Sequence, residues 1–214
     1  MTFNIPLKCS CGSFRGIASG ISKSKGNRIV CMCDDCQAYA HFLGRAKEVL
    51  DDNGGTDVFP IPPANLTITH GFEFLKCLRL TDKGMIRWYA GCCKTPIANS
   101  MPSSKFPFAG VIHTIMNFAD GTKTREEALG PVYARVQGKS GIGELPQDAY
   151  PTTPLKVIFS TIQFLFFAWI KRQYKPSPFF DSISGKPKVD PYILTSIERE
   201  NLRKFCGPKP GKTT

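Results

Sequence analysis

The chain has 214 residues, of which 42% are hydrophobic and 21% are charged, and its formal net charge is +11. This composition is that of an ordinary globular protein, and it excludes a disordered or collagen-like chain. The length suits one domain with a substantial appendage, and the 17 prolines and 19 glycines favour short strands and turns over a helix bundle.

The first six residues carry neither a basic segment nor an apolar one, so they do not resemble a secretory signal. We therefore expect a cytoplasmic protein. Thiols stay reduced in that compartment, and the nine cysteines of the chain are an odd number. We expect metal binding or redox chemistry from these cysteines rather than a disulfide framework.

The first half of the chain is predicted to consist mainly of short β-strands. A strand at residues 13–19 leads through a polar turn at residues 22–27 into a second strand at Ile29 and Val30. A short helix follows at residues 35–42, with Asp34 and Gln37 as its capping box and Gly44 as its end. Further strands are predicted at residues 57–61, 66–69, 72–80 and 85–90, the last two paired as a hairpin.

The second half is predicted to contain weaker strands at residues 111–118 and 131–136 and a short helix at residues 124–129. A glycine-rich linker follows at residues 138–143. We therefore expect a β domain that contains the cysteine groups at residues 1–137 and a helical C-terminal extension at residues 138–214. The last helix is predicted at residues 192–205.

The most apolar segment of the chain is residues 155–170, which directly follow Pro154. A helix of this length spans roughly 24 Å, which is shorter than the ~30 Å hydrocarbon core of a bilayer. A membrane span is therefore not expected. We expect this helix to pack on the core or on a second copy of the chain, making a homodimer; insertion into a membrane surface is the alternative.

The cysteines form three tight groups: Cys9 with Cys11, then Cys31 with Cys33 and Cys36, then Cys92 with Cys93. One or two intervening residues allow neighbouring thiolates to converge on one ion at about 2.3 Å each. The spacing therefore predicts zinc binding. Cys206 stands alone and is not expected to be a ligand.

The order of these groups resembles the family of glutathione-dependent formaldehyde-activating enzymes and centromere protein V. The resemblance rests on Cys9-Ser10-Cys11-Gly12, on Cys31-x-Cys33-x-x-Cys36-Gln37, and on the segment from Arg87 to Ile97 that contains Cys92 and Cys93. It covers roughly residues 5–137. It implies a tent-like fold of antiparallel sheets and two zinc ions, one structural with four cysteines and one held by three.

The resemblance implies that Cys9, Cys11 and Cys93 bind the structural ion, and that Cys31, Cys33 and Cys36 form the second, catalytic site. The family has a cysteine where this chain has Ala90 and a glycine where it has Lys94, which leaves the fourth structural ligand open. Cys92 is favoured, because a chain turn at Gly91 can break the strand alternation, and Cys77 is the alternative. Met32 replaces a histidine that is common in the family.

The activity implied by the resemblance is that of a carbon–sulfur lyase acting on a thiol adduct such as S-hydroxymethylglutathione. A non-enzymatic zinc module that binds nucleic acid or a protein partner is the alternative. Residues 171–214 carry ten Lys or Arg against four Asp or Glu, a basic excess that suits nucleic acid, anionic lipid or simply a solvated tail. This segment lacks a dense basic run interleaved with aromatic residues, so nucleic acid is the second choice.

Overall fold

The computed structural model describes residues 2–23, 27–119 and 123–209, so the turn expected at residues 22–27 lies partly outside the described residues. Within these ranges the chain forms eleven β-strands and five α-helices. The strands are β1 Phe3–Lys8, β2 Arg15–Ile21, β3 Ile29–Cys31, β4 Thr56–Ile61, β5 Leu66–His70, β6 Leu75–Arg79, β7 Ile86–Ala90, β8 Thr95–Ser100, β9 Ala109–Ile112, β10 Ala134–Val136 and β11 Tyr192–Ile193. The helices are α1 Asp34–Phe42, α2 Ala46–Val49, α3 Arg125–Leu129, α4 Leu155–Ile170 and α5 Ser196–Arg203.

The strands form two sheets. The smaller sheet is antiparallel and has the order β1-β2-β5, and the larger one has the order β10-β3-β4-β9-β8-β7-β6-β11. Only the two outer pairs of the larger sheet, β10 with β3 and β11 with β6, are parallel in the described chain. The prediction of a mainly β fold with antiparallel sheets and a helical C-terminal part is therefore confirmed.

The main core lies between the two sheets, because alternate residues of each strand point to the shared interior. Ile5 and Leu7 of β1 are buried in the same cluster as Trp88 of β7 and Val111 of β9. Trp88 donates a hydrogen bond from Nε1 to Ser100 Oγ at 2.9 Å, so its polar atom is satisfied within the core. This packing fixes β7 and β8, whose connecting turn contains Cys92 and Cys93.

The hairpin predicted at residues 72–90 is confirmed, since β6 pairs antiparallel with β7. The strand expected at residues 72–80 is shorter, because a 3-10 turn occupies Phe72–Phe74. Likewise, the strand expected at residues 111–118 ends at Ile112, where a second 3-10 turn begins. The helix expected at residues 192–205 is limited to α5, because Thr195 and Glu198 form a capping box that begins it at Ser196.

The predicted capping box of α1 is wrong. Cys33 is the N-terminal cap residue, and no side chain caps this helix end. Gln37 is fully buried and donates from Nε2 to the carbonyl oxygens of Met32 at 2.7 Å and Ser140 at 2.8 Å. Its Oε1 accepts a hydrogen bond from Gly207 N at 2.8 Å. Gln37 therefore joins the start of α1 to two distant parts of the chain.

We expect Gln37→Leu to lower the free energy of unfolding by about 3 kcal/mol, because it leaves buried backbone groups without partners at roughly 1–3 kcal/mol each. Urea unfolding followed by circular dichroism measures the change. Gln147→Leu, at an exposed glutamine, is the matched control and should change stability by less than about 0.5 kcal/mol. Equal effects of the two substitutions would contradict this structural role.

The residues after 137 contact the β domain at several points. Gly138–Ser140 form a 3-10 turn with Ser140 buried, β11 extends the larger sheet, and α5 packs on α1. The division at residue 137 stays a prediction. No helix in the described ranges is both long and apolar enough to cross a bilayer.

Candidate metal centres

The first cysteine set consists of Cys9, Cys11, Cys92 and Cys93, which lie in two tight turns. One turn follows β1, where Gly12 N donates to the Cys9 carbonyl at 2.9 Å with Gly12 at φ +80°. The other turn occupies residues 91–94 between β7 and β8. The two turns bring cysteines from opposite ends of the β domain together, with all four sulfurs within 4.8 Å of one another.

The spacing of these sulfurs fits a tetrahedral ion. Four sulfurs at about 2.3 Å from a central zinc lie about 3.8 Å apart. The Sγ atom of Cys9 lies 3.5 Å from that of Cys11 and 3.8 Å from that of Cys92. Cys11 and Cys92 are 3.5 Å apart, and Cys92 and Cys93 are 3.8 Å apart, also measured between sulfurs. The set therefore has the geometry of a closed four-sulfur site.

Hydrogen bonds favour negatively charged sulfur at Cys11 and Cys93, whereas burial raises the pKa of Cys9 and of Cys92. Phe14 N donates to Cys9 Sγ at 3.2 Å, and the Thr95 hydroxyl lies 3.1 Å from Cys93 Sγ. Burial raises the pKa of Cys93, but hydrogen bonds from Ser10, Thr95 and nearby backbone N–H groups outweigh it and lower the pKa to about 5. Thiolates are the form in which cysteines bind metal.

The structure brings Cys92, and not Cys77, into this set. β7 ends at Ala90, so Cys92 lies in a turn and is free of the strand alternation that would have pointed it away from Cys93. Cys77 is buried in the main core, where its thiol donates to the Val189 carbonyl at 3.3 Å. Lys94 takes φ +58°, a left-handed conformation that favours glycine, so the turn keeps its shape without one.

The second cysteine set consists of Cys31, Cys33 and Cys36, whose sulfurs also lie within 4.8 Å of one another. Cys31 ends β3, Cys33 is the cap residue of α1, and Cys36 lies in the first turn of that helix. Cys36 is buried, whereas Cys31 and Cys33 are half-buried. The N-terminus of α1, which carries the positive end of the helix dipole, therefore adjoins all three sulfurs.

Arg87 is a buried cation beside this set. Its Nη1 atom lies 3.9 Å from Cys36 Sγ and 3.4 Å from Asn99 Oδ1, and its guanidinium lies over the Tyr39 ring. Burial lowers the pKa of Arg87, but the negative charges of Cys36, Cys33 and Asp35 outweigh it and raise the pKa. Sequence reasoning assigned Arg87 no role, although an arginine among the apolar residues of a central strand indicates a buried charge.

Two further arginines, Arg199 and Arg203 of α5, reach the same end of α1. Arg199 Nη2 lies 3.0 Å from Asp34 and 2.7 Å from Asp35, and Arg203 Nε lies 3.8 Å from Asp34. With Arg87, the three guanidiniums outnumber the two carboxylates by one charge. Three thiolates with one divalent ion carry a single negative charge, so these surroundings neutralise a metal-loaded site.

The sequence profile of the family described as "Family of unknown function (DUF6151)" matches residues 1–190. The chain belongs to this family. The match includes both cysteine sets and α4 and ends before α5. Comparison of this DUF6151 chain with curated protein sequences gives no match.

The three histidines of the DUF6151 chain and Cys206 lie outside both sets. His41 stacks on Phe205 with ring centroids 5.1 Å apart, and burial lowers its pKa. His113 contacts the Val49 carbonyl oxygen through Nε2 at 3.3 Å, and His70 contacts Thr69. Cys206 is near α1, where its sulfur lies 3.4 Å from the Asp34 carbonyl oxygen, but it belongs to neither set.

Proposed function

We propose that this protein binds two zinc ions, one in each cysteine set, and uses the second site to bind a small thiol. Cys9, Cys11, Cys92 and Cys93 hold the structural ion. Cys31, Cys33 and Cys36 hold the catalytic ion and leave one ligand position for the thiol, glutathione being the first candidate. The protein then acts as a carbon–sulfur lyase on a thiol adduct such as S-hydroxymethylglutathione.

One observation carries this proposal: the two sets differ in their number of sulfurs. Among the residues that the structure describes, the first set provides four potential ligands and the second provides three. A closed four-ligand site is typical of structural zinc, and a site with three protein ligands and an open position is typical of catalytic zinc. The donors in both sets are sulfurs, which zinc binds well.

The surroundings of the second set also suit a bound thiolate. The positive end of the α1 dipole adjoins the three sulfurs, while the N–H groups of Cys36 and Gln37 donate to the Cys33 carbonyl. Arg87 contacts Cys36 and places a fixed positive charge beside the set. The helix dipole and Arg87 therefore reduce the electrostatic cost of a fourth negatively charged sulfur, which leaves the loaded site with one uncompensated negative charge.

The chemistry requires only a nucleophilic sulfur and a proton carrier. A free thiol with a pKa near 8.5 is only a few per cent thiolate at neutral pH, and bound zinc supplies the charge that keeps it deprotonated. The sulfur forms a bond to the carbonyl carbon of an aldehyde, the carbonyl electron pair moves to oxygen, and that oxygen takes a proton from water. The hydroxide that remains takes up the proton that the thiol released on deprotonation. The reverse reaction breaks the carbon–sulfur bond.

The resemblance to the glutathione-dependent formaldehyde-activating enzymes and centromere protein V adds support for this class of reaction. It rests on the order of the cysteine groups. The replacement of the family's cysteine by Ala90 is compatible with a four-sulfur site, because Cys92 lies within the set. The side chain of Met32, which replaces a histidine common in that family, is buried.

X-ray absorption at the zinc edge tests the proposal. We expect an average of about 3.5 sulfurs per zinc in the thiol-free protein, rising to about 4 when glutathione is added. S-methylglutathione, which has no free thiol, should cause no rise. Cys33→Ser should abolish the rise and leave the fold intact, whereas Cys206→Ser, at a thiol outside both sets, should not affect it.

Exchange NMR of formaldehyde with glutathione then tests the reaction, with acceleration over the spontaneous rate as the expected result. Four sulfurs on both ions before thiol is added would show that the second site is closed and would contradict the proposal. A rise in sulfur coordination without acceleration would support thiol binding but rule out the lyase reaction with this substrate.

A further inference from the structure

Helix α4 presents a large apolar surface to solvent. Eight of its bulky apolar side chains are exposed, from Leu155 at 82% and Phe159 at 79% to Ile158 at 42%. The inner side of the helix contacts the body of the protein mainly through the buried Val157 and Ala168. We call the exposed side the outer face of α4, made up of Leu155, Ile158, Phe159, Ile162, Phe166, Phe167, Trp169 and Ile170.

This orientation is the reverse of what a helix that only packs on the core would adopt. An ordinary surface helix turns its large apolar residues inward and its polar residues to water. In α4 the inner side includes Ser160, which lines a cavity against β2 and β4 with Phe164 and Ala168. An outward apolar surface of this extent marks an interaction site.

The charges around α4 indicate the chemistry of its partner. Residues 149–180 contain no Asp or Glu, while Lys156, Lys171, Arg172 and Lys175 are all exposed. Asp148, the acidic residue just before this segment, is paired with Arg135 at 3.4 Å. The outer face is therefore flanked at both ends by positive charge, although at the first end Lys156 also lies over the rings of Tyr133 and Tyr150 and interacts electrostatically with Asp148.

A second copy of the chain fits these charges poorly. If two α4 helices packed parallel, Lys171 and Arg172 would lie beside their own counterparts. If they packed antiparallel, Lys156 would lie beside those same residues. Like charges at the ends of an interface oppose association, whereas an anionic surface complements them in every orientation.

We propose that α4 is an interfacial anchor that lies in the plane of an anionic lipid bilayer. The outer face is buried at the boundary between headgroups and acyl chains, and the basic residues at its ends contact lipid phosphates. The helix has 16 residues, or roughly 24 Å, so it lies along the surface and does not cross it. Trp169 and Tyr174 at its C-terminal end are residues that favour this boundary.

Vesicle binding tests the proposal, and the protein carries its own reporter. Of the two tryptophans, Trp88 is fully buried and Trp169 is 59% exposed. With vesicles of phosphatidylcholine and phosphatidylglycerol, the emission of Trp169 should shift to shorter wavelength and the protein should co-sediment. Phosphatidylcholine alone should bind at least tenfold less, because each basic residue near an anionic surface contributes about a fivefold gain.

Phe159→Ser combined with Ile162→Ser should abolish both signals, and Lys171→Gln combined with Arg172→Gln should weaken binding by tenfold or more. Ile183→Ser is the matched control, since this isoleucine is 96% exposed but lies outside α4. Absence of binding to anionic vesicles would overturn the proposal, as would equal binding to neutral ones. A dimer in sedimentation equilibrium that Phe159→Ser with Ile162→Ser dissociates, without vesicle binding, would assign the face to a second copy.

Discussion

Cys11→Ser is expected to yield unfolded or aggregated protein and to remove one of the two zinc ions. Cys11 is exposed, so the loss of its thiol removes almost no core packing, and on packing alone the change would be within about 0.5 kcal/mol. Structural zinc contributes roughly 10 kcal/mol or more to folding, which is comparable to the total stability of a domain. A large loss of stability on substitution of this exposed residue would therefore indicate that Cys11 binds a metal ion.

Elemental analysis of protein purified without chelator, together with thermal unfolding, measures this effect. Cys206→Ser is the matched control, because it removes a half-buried thiol that belongs to neither set, and it should retain two zinc ions per chain. A Cys11→Ser protein that folds with an unchanged melting temperature would refute the structural assignment. Zero zinc in the unsubstituted protein would refute both sites.

Arg87→Met is expected to weaken zinc binding at the second set by 10–100-fold without unfolding the protein. Methionine fills much of the same buried space, but it removes the positive charge that lies 3.9 Å from Cys36 and 3.5 Å from Asp35. Partners of metal ligands typically contribute this much to metal affinity. The four-sulfur set does not contact Arg87 and should keep its ion.

Competition with a chromogenic chelator separates the two ions by affinity, and the more weakly held ion should be the one affected. Arg45→Met, which breaks an exposed ion pair with Glu48, is the control and should leave both affinities unchanged. Unchanged affinity in Arg87→Met would show that the guanidinium does not support the set. Loss of both ions would show that its role is to maintain the fold.

Local sequence patterns predicted much of this fold. The hairpin of β6 and β7 and the bounds of α4 followed from turn residues and apolar runs, which act over a few neighbouring residues. The start of α1 was misassigned because Gln37 bonds with Met32, Ser140 and Gly207, and two of these partners lie more than a hundred residues away. Tertiary contacts therefore give Gln37 a different role from the one that local capping rules predict.

In the candidate sites, too, local sequence patterns predicted some features, while features that depend on tertiary contacts were not predicted. The close spacing of Cys31, Cys33 and Cys36 makes their grouping readable from sequence, because all three belong to one strand end and one helix turn. The sequence does not show that Arg87, Arg199 and Arg203 surround these cysteines. Where β7 and α5 lie relative to the cysteines depends on tertiary contacts, which no short-range pattern specifies. The sequence left open whether α4 packs on the core, on a second copy or on a membrane surface, since periodicity shows that a helix has faces but not which face contacts the rest of the protein.

The two cysteine sets differ in the length of chain that each one closes, and this has a consequence for biosynthesis. Cys9 and Cys92 are 83 residues apart, so their contact closes a loop whose entropic cost is roughly 4–5 kcal/mol. Cys31 and Cys36 are five residues apart, and the same relation gives an entropic cost of roughly 2 kcal/mol for that loop. On the proposal that both sets bind zinc, a nascent chain can load its second site soon after Cys36 emerges, whereas the proposed structural site must wait for Cys93. The order of metallation during translation is thus set by chain connectivity.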